Sequence, residues 1–338
     1  MAVFPPVALL VFLRQLHTGP MFDDFVYFLW FDSTPWNQLH YLLDPGNGYI
    51  WARPLATFIF YLEYHLTHEC MAGYRIAGIL WHGLIAATVT TWVRRGLRLP
   101  DTPAILAGWL FLLHPAAVQS VCYPSARGEQ VFLALLLWSM IFVSHYLTHD
   151  SGRPIRSVIT LSAAMAAYTL ALAAKESAIG FTVFLVLYAG CFKYRIHPRR
   201  RLIPALTATA ALTGTYLLYR MSVMQGVGGY GWMTRSGQDP LALAGSSLRW
   251  LFWDLPLLHF FPWPPGPSGI PWVLKILSAL LLLLTLILGI TTGRHRRSLV
   301  FSGLFLLISE MMITAVFAGS NPDILAPRYL YLGSVAAA

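Results

Sequence analysis

Two adjacent carboxylates, Asp23 and Asp24, lie near the start of the chain in the stretch MFDDFVYF, between hydrophobic segments. A carboxylate can take the proton of a hydroxyl group that comes within hydrogen-bonding distance. Other polar residues occur in WARPL, LLHPAAV, YPSARGE, AAKES and APRYLYL, and they are Arg53, His114, Arg127, Glu129, Lys175, Glu176 and Arg328. Arg and Lys supply the charge and the directed hydrogen bonds that hold a phosphate group. Together these residue types suit a reaction between a hydroxyl group and a phosphate-bearing substrate.

These residues also have structural explanations. The acidic pair could mark a solvated loop, and Arg53 could simply precede a helix that starts at a proline. His114 could cap a helix, and Lys175 with Glu176 could form a local ion pair at a membrane surface. The cations that accompany the acidic pair on the same predicted side of the membrane favour a functional site.

The elements that must position these residues are membrane helices. Hydrophobic residues make up 57% of the chain and charged residues 11%, and the mean hydropathy is +0.60, far from the balance of a soluble domain. Apolar runs of about 18 to 20 residues suit α-helices that cross ~30 Å of hydrocarbon, whereas a β-barrel would show short alternating segments. We therefore predict an all-α polytopic membrane protein of about ten transmembrane helices, forming a single domain over residues 1–338. The predicted spans are 2–16, 74–92, 103–121, 130–147, 157–174, 177–194, 202–219, 272–291, 299–317 and one that begins near 329.

The distribution of basic residues predicts the orientation, because Lys and Arg accumulate in cytoplasmic loops. Thirteen of the 23 Lys and Arg residues lie in alternate loops, at 94–98, 153–156, 193–201 and 294–297. We predict that these loops face the cytoplasm. The net charge of +9 is then mostly a signal of topology, and we expect no nucleic-acid partner.

The opposite set of loops includes two long ones, residues 17–73 and 220–271, and this side holds every candidate site residue. We expect a multi-pass integral membrane protein of the bacterial inner membrane whose site faces the periplasm, or the lumen of the endoplasmic reticulum if the source is eukaryotic. Within the first long loop, the aromatic segments 25–31 and 55–66 are too short to span and suit helices that lie along the interface. We also expect the chain to continue beyond residue 338.

Metal and cofactor chemistry is not indicated. In YHLTHEC, His65 and His68 are three residues apart and Glu69 follows directly, which is a weak metal signal without a closed set of ligands. We predict no metal and no cofactor. The three cysteines do not form the framework of a disulfide-rich domain.

The ordered motifs FDD, RPL, HPAAVQSV, SARGE, KES and PRYLYL resemble those of the C-type (GT-C) polyprenyl-phosphate-sugar-dependent glycosyltransferases. Among these enzymes, the chain resembles the transmembrane O-mannosyltransferases of the cadherin-targeting type and their bacterial homologues. The resemblance covers roughly residues 20–335. It implies an inverting transfer of a hexose, such as mannose, from a polyprenyl-phosphate-linked sugar donor in the lipid bilayer to a protein or glycan acceptor on the periplasmic or lumenal side.

The resemblance also implies residue roles. Asp23 corresponds to the general base, with Asp24 as the alternative base or as a support. Arg53, Arg127, Lys175 and Arg328 become candidates for binding the phosphate, Glu129 and Glu176 could orient these cations, and His114 is a further substrate-binding candidate. A transporter or flippase of a lipid-linked saccharide would use the same cations without chemistry, and a structural membrane subunit would use none of them.

Overall fold

The computed structural model describes residues 2–17, 19–20, 23–38, 40, 53–68, 70–114, 117–149, 154–192, 196, 199–224, 297–298 and 300–305. Within these ranges the chain is helical and has no β-strand. The α-helices are α1 (Phe4–Val11), α2 (Asp23–Ser33), α3 (Pro54–Thr67), α4 (Met71–Arg95), α5 (Asp101–Leu113), α6 (Ala117–Cys122), α7 (Arg127–Thr148), α8 (Pro154–Ala174), α9 (Gly180–Phe192) and α10 (Leu202–Met224). The predicted all-α class is confirmed for the described residues.

Four helices are long and apolar enough to cross a membrane, and they are α4, α7, α8 and α10. They match the predicted spans 74–92, 130–147, 157–174 and 202–219. The prediction of ten spans is not confirmed. The predicted span 103–121 is divided, because α5 ends at Leu113 after 13 residues. The next residue, His114, has the extended backbone that suits a residue before a proline. The predicted spans 272–291, 299–317 and beyond 329 lie wholly or mostly outside the described residues.

The first predicted span, 2–16, is also shorter than expected. It contains the eight-residue α1 and then a 3₁₀ turn at Leu13–His17. This segment packs on α4 and α5: the Phe4 ring lies 5.3 Å from the Trp109 ring, and the Phe12 ring lies 5.6 Å from the imidazole of His82. Residues 2–17 therefore belong to the helical bundle.

Helices α7 and α8 pack closely along alanine side chains. Ala164, Ala171 and Ala174 are fully buried, and small residues let two helix backbones approach each other. The Ser139 hydroxyl also donates a hydrogen bond across the interface to the carbonyl of Ala164 at 2.8 Å. On the other side of α8, large aliphatic residues such as Ile155 are exposed, as expected for a surface that faces lipid.

The two ends of the bundle differ in their polar residues. At one end Arg94 pairs with Asp101 at 2.8 Å, Arg98 donates to the Thr148 carbonyl, and Arg201 donates to the Tyr146 carbonyl. This end gathers loops that were predicted to be cytoplasmic. The candidate site residues lie at the opposite ends of the helices, and α4 alone separates the two ends by about 37 Å. Which end faces the cytoplasm stays a prediction.

Helices α2 and α3 dock on the beginning of α4 through an aromatic cluster. Phe31, Phe60, Tyr61 and Tyr74 form its buried part; the Phe31 and Phe60 rings are 5.2 Å apart, and the Tyr61 hydroxyl donates to the carbonyl of Thr34 at 2.7 Å. The structure thus has helices at both aromatic segments of the first long loop. Their position along a membrane interface stays a prediction.

Candidate functional site

Arg127, the first residue of α7, is the centre of a buried group that we call the Arg127 network, consisting of Arg127, Glu63, Gln130 and Tyr74. Its Nε donates to Glu63 Oε2 at 2.9 Å, its Nη2 donates to the Tyr74 carbonyl at 2.9 Å, and its Nη1 donates to Gln130 Oε1. Gln130 in turn donates to the carbonyl of Gly78 at 2.7 Å. These bonds give every guanidinium nitrogen of Arg127 a protein acceptor and hold α3, α4 and α7 together.

Lys175 and Glu129 form a second buried ion pair, between the end of α8 and the first turn of α7. The Lys175 ammonium group also lies 5.6 Å from the centre of the Phe132 ring, a distance at which the ring face attracts a cation. Both charged side chains are buried. The AAKES motif therefore places a neutralised pair inside the bundle at this point.

Arg53, Glu176 and Arg220 form a third group, the Glu176 cluster. Arg53 immediately precedes α3, which starts at Pro54, and its Nε and Nη2 donate to the two carboxylate oxygens of Glu176, the Nε at 2.9 Å. Arg220, near the end of α10, places Nη1 3.6 Å from Glu176 Oε2 and donates to the Tyr216 hydroxyl at 2.9 Å. Two arginines thus share one carboxylate, which leaves a surplus of positive charge.

The backbone explains why neighbouring side chains of the KES motif enter different groups. Lys175 is extended, with φ −162° and ψ 141°, and Glu176 then begins a 3₁₀ turn that ends at Ile179. Along an extended backbone, neighbouring side chains point to opposite sides. Lys175 consequently reaches Glu129 on α7, whereas Glu176 reaches Arg53 beside α3.

The two glutamates that pair with arginine differ in their pKa. Burial raises the pKa of Glu176, but the charges of Arg53, Lys175 and Arg220 and the hydrogen bonds from Arg53 outweigh burial and bring this pKa down to about 2. Burial also raises the pKa of Glu63, and the single partner Arg127 lowers it by less, so that it stays above the usual value. Glu176 is therefore a firmly ionised carboxylate at neutral pH.

Asp23 and Asp24 occupy the first turn of α2, where the helix dipole favours negative charge. Asp24 is completely buried, and its Oδ1 accepts a hydrogen bond of 2.8 Å from the backbone N–H of Ser125. Asp23 is exposed. Adjacent carboxylates therefore have different environments: Asp24 fastens α2 to the turn before α7, and Asp23 is accessible from outside.

The two remaining predicted site residues are His114 and Arg328. His114 is half-buried at the end of α5, where its backbone N–H donates to the Phe111 carbonyl and its carbonyl accepts from Ala117 N–H. This position fits the helix-capping alternative. Arg328 lies outside the described residues.

Contacts and short separations in the sequence link most of the predicted site residues to one another. Asp24 bonds to Ser125, which is two residues before Arg127 and four before Glu129. Glu129 pairs with Lys175, and the neighbouring Glu176 pairs with Arg53. Six predicted positions from four motifs therefore lie around one end of α7 and α8, namely Asp24, Arg53, Arg127, Glu129, Lys175 and Glu176. In the described parts of the chain, no three His, Cys, Asp or Glu residues are grouped so that they could hold a metal ion.

Three charged residues of this region were not among the predicted site residues, namely Arg220, Arg75 and Glu63. Arg75 is buried in the first turns of α4, and its Nη2 donates to the carbonyl of Gly19 at 2.7 Å. A usable signal did exist for Arg220 and Arg75. Each is a basic residue at the predicted non-cytoplasmic end of an apolar helix, against the general distribution of Lys and Arg.

Comparisons of the chain with protein-family models, with curated proteins and with solved structures find no match. The resemblance to C-type glycosyltransferases accordingly stays a prediction. The chemistry of this region has to be inferred from its own residues and their contacts.

Proposed function

We propose that this chain is a membrane glycosyltransferase that moves a sugar, a hexose such as mannose, from a polyprenyl-phosphate donor to a hydroxyl group of a protein or glycan acceptor at the periplasmic or lumenal face. The observation that carries the proposal is the Glu176 cluster. Two arginines share one ionised carboxylate, at the same end of the bundle as the exposed Asp23 and the anchored Asp24. Surplus positive charge beside an accessible carboxylate suits a reaction between a phosphate ester and a hydroxyl group.

In this mechanism Asp23 is the general base. It is the exposed member of the pair, so an acceptor hydroxyl can reach it. Asp23 takes the hydroxyl proton while the acceptor oxygen forms a bond to the anomeric carbon. The bond from that carbon to the phosphate oxygen breaks on the opposite face, its electron pair leaves with the polyprenyl phosphate, and the anomeric configuration inverts.

The cations act on the leaving group. Negative charge grows on the phosphate oxygen as the sugar departs, and a positive charge already held in place stabilises this transition state more than the ground state. Glu176 holds Arg53 in a bidentate pair and thereby fixes its direction. Lys175 and Glu129 neutralise each other and position the KES turn. His114 and Arg328 remain candidates for substrate binding.

Asp24 supports the base through the backbone. Its carboxylate accepts the Ser125 N–H and so fixes the first turn of α2 against the turn before α7. Asparagine at position 24 can still accept this hydrogen bond through its side-chain oxygen. Asp24→Asn is therefore the comparison variant for Asp23→Asn: it keeps the contact with Ser125, but it also removes a negative charge that acts on the buried Arg75, so the folding of both variants is measured beside the transfer rate.

The decisive experiment measures transfer of radiolabelled sugar from a panel of polyprenyl-phosphate donors in membranes that contain the full-length protein. Wild type should label an acceptor. Asp23→Asn should lower the rate about 10²- to 10⁴-fold, the usual contribution of a general base, with donor binding retained, and Asp24→Asn should lower it less.

Other outcomes would contradict parts of the proposal. If Asp24→Asn alone abolishes transfer, Asp24 is the base. If wild type consumes no donor with any sugar, the enzyme assignment is wrong. Movement of a lipid-linked sugar across the membrane without transfer, unchanged in Asp23→Asn, would indicate a transporter or flippase instead.

A further inference from the structure

The guanidinium group of Arg220 is the least satisfied part of the Glu176 cluster. The side chain is only 1% exposed, yet within the described residues its Nε has no hydrogen-bond acceptor. Buried polar groups in folded proteins are nearly always hydrogen-bonded, and a buried charge is costly unless it is paired. A buried donor without an acceptor is thus a position where a ligand can supply one.

Glu176 does not satisfy Arg220. Its Oε2 lies 3.6 Å from Arg220 Nη1, which is too long for a hydrogen bond, and both of its oxygens already accept from Arg53. The Tyr216 hydroxyl accepts from Nη1 but carries no charge. Among the residues that the structure describes, Arg220 therefore receives some electrostatic compensation and no charged hydrogen-bond partner.

We propose that Arg220 is a further binding residue of this site and takes the phosphate group of the donor together with Arg53. This inference rests on the proposed function, in which the donor is a polyprenyl sugar phosphodiester and the leaving group is the polyprenyl phosphate, a phosphate monoester. A phosphate oxygen accepts the Nε hydrogen bond of Arg220 and lies in the combined positive charge of the two arginines. Glu176 holds Arg53 beside the phosphate position.

Access distinguishes Arg220 from Arg75, whose Nε and Nη1 also have no acceptor in the described part of the chain. The cation beside Arg220 is Arg53, whose side chain is 19% exposed and whose partner Glu176 is 20% exposed. The pair leaves a route for a headgroup to the cluster. The charged neighbours of Arg75 are instead Asp24 and Arg127, and both of these side chains are fully buried.

The test measures ligand binding to the full-length protein in lipid nanodiscs, with three probes: a short-chain polyprenyl monophosphate, the uncharged prenol of the same length, and inorganic phosphate. Arg220→Met should weaken binding of the polyprenyl phosphate roughly 10- to 100-fold, the range expected for a lost charged hydrogen bond. Binding of the prenol should not change. The matched control is Arg94→Met, because Arg94 belongs to an exposed pair with Asp101 at the other end of α4, and it should bind all probes as wild type does.

Inorganic phosphate shows whether the phosphate group alone is a sufficient ligand or whether the lipid chain is also required. Competition in wild type that is lost in Arg220→Met would support the site with the headgroup alone as a sufficient ligand. Arg220-dependent binding of the polyprenyl phosphate without such competition would support it with the lipid form as the ligand. Equal affinity of wild type and Arg220→Met for the polyprenyl phosphate, or an equal loss of prenol binding, would overturn the inference.

A second variant keeps the test decisive if Arg220→Met does not fold. Arg220→Lys retains the charge but loses the planar fork that presents Nε, and we expect it to bind the polyprenyl phosphate roughly tenfold more weakly. Wild-type affinity in a folded Lys variant would also overturn the inference.

The inference and the proposed function fail in different ways. Persistent sugar transfer with wild-type phosphate binding in Arg220→Met would refute the role of Arg220 and keep the enzyme. Arg220-dependent phosphate binding in a protein that transfers no sugar would keep the binding site and refute the enzyme.

Discussion

Two groups at the same end of the helical bundle contain a buried arginine and a glutamate, and they differ in how completely the arginine is satisfied. In the Arg127 network every guanidinium nitrogen donates to a protein acceptor. In the Glu176 cluster Arg220 uses one nitrogen for Tyr216 and, within the described residues, has no acceptor for Nε. The bonds of Arg127 suit a role in holding helices together, whereas a ligand can bind the Nε of Arg220 without displacing an existing acceptor.

The two glutamates, Glu63 and Glu176, also differ in how fully neighbouring cations compensate their burial. Burial raises the pKa of both Glu63 and Glu176, and Glu176 ends near a pKa of about 2 because several cations face it. One arginine does not compensate the burial of Glu63. The Glu176 cluster therefore keeps a permanent negative charge that holds its cations, and the Arg127 network depends more on hydrogen-bond geometry.

The largest effect should come from Arg127→Met. Removing one partner of a buried pair leaves Glu63 without its cation and frees the Tyr74 carbonyl and Gln130, which should lower the free energy of unfolding by about 3–5 kcal/mol. Thermal unfolding of the purified protein in detergent measures this change. The exposed pair provides the control, since Arg94→Met should cost less than about 1 kcal/mol. Similar losses in both variants would show that the Arg127 network is not a stabilising centre.

The next effect tests how tightly the same network is packed. A Cβ added at Gly78 would lie 2.7 Å from the Val121 carbonyl oxygen and 2.9 Å from Arg127 Nη1, whereas Gly214, on the helix that carries Arg220, has no atom within 4 Å of that position. Gly78→Ala should therefore cost about 1–3 kcal/mol of stability. Gly214→Ala should be neutral or add up to about 1 kcal/mol through helix propensity. Unfolding temperatures of the two variants check the contrast, and a stable Gly78→Ala protein would contradict it.

Acidification should separate the two glutamates. The pKa of Glu176 is about 2 in the folded protein and 4.5 without these neighbours, so the unfolded chain binds a proton first, and the contribution of Glu176 is complete above about pH 4.5 and declines as the pH falls toward 2. The stability advantage of wild type over Glu176→Gln, about 1.5 kcal/mol at neutral pH, should shrink over this window.

Glu63→Gln is the control variant for the loss of stability expected of Glu176 on acidification. The pKa of Glu63 is raised on folding, so protonation favours the folded state and the difference from wild type should move in the opposite direction on acidification. Unfolding temperatures recorded at several pH values for the three proteins test both signs. Parallel curves would remove the contrast between the two carboxylates.

The smallest effect should be that of Arg220→Met on stability. Glu176 keeps both hydrogen bonds to Arg53 after this change, and replacing an imperfectly paired buried charge by an apolar side chain is often neutral or stabilising. We expect a change within about 1 kcal/mol in either direction. A loss as large as that of Arg127→Met would assign Arg220 to the support of the fold and would contradict the comparison.

The all-α class and the four helices long and apolar enough to cross a membrane could be predicted from the sequence, because hydrophobic runs are local properties. The ion-pair partners could not. Arg53 and Glu176 are separated by 123 positions, and no local pattern indicates that α3 reaches the turn after α8. The motifs YPSARGE and AAKES each contain cations and carboxylates that pair across helices, so the sequence supports several pairings equally well.

The distinct roles of Asp23 and Asp24 were also beyond sequence reasoning. Adjacent residues in the first turn of a helix differ by about 100° around its axis, and which of them is buried depends on what the helix packs against. Here the turn Pro124–Ala126 lies beside Asp24 and offers the Ser125 N–H. The early end of α5 was not predicted either, because hydrophobic residues continue through LLHPAAV although the helix ends before His114.

The alanine interface between α7 and α8 has a consequence for motion. Close packing and the hydrogen bond from Ser139 to Ala164 join these two helices, and Glu129 and Lys175 lie at one end of the pair. Glu176 follows α8 directly, whereas Arg53 precedes α3 and Arg220 belongs to α10. If the cluster opens and closes around a ligand, we therefore expect α3 or α10 to move, with α7 and α8 as the stationary frame.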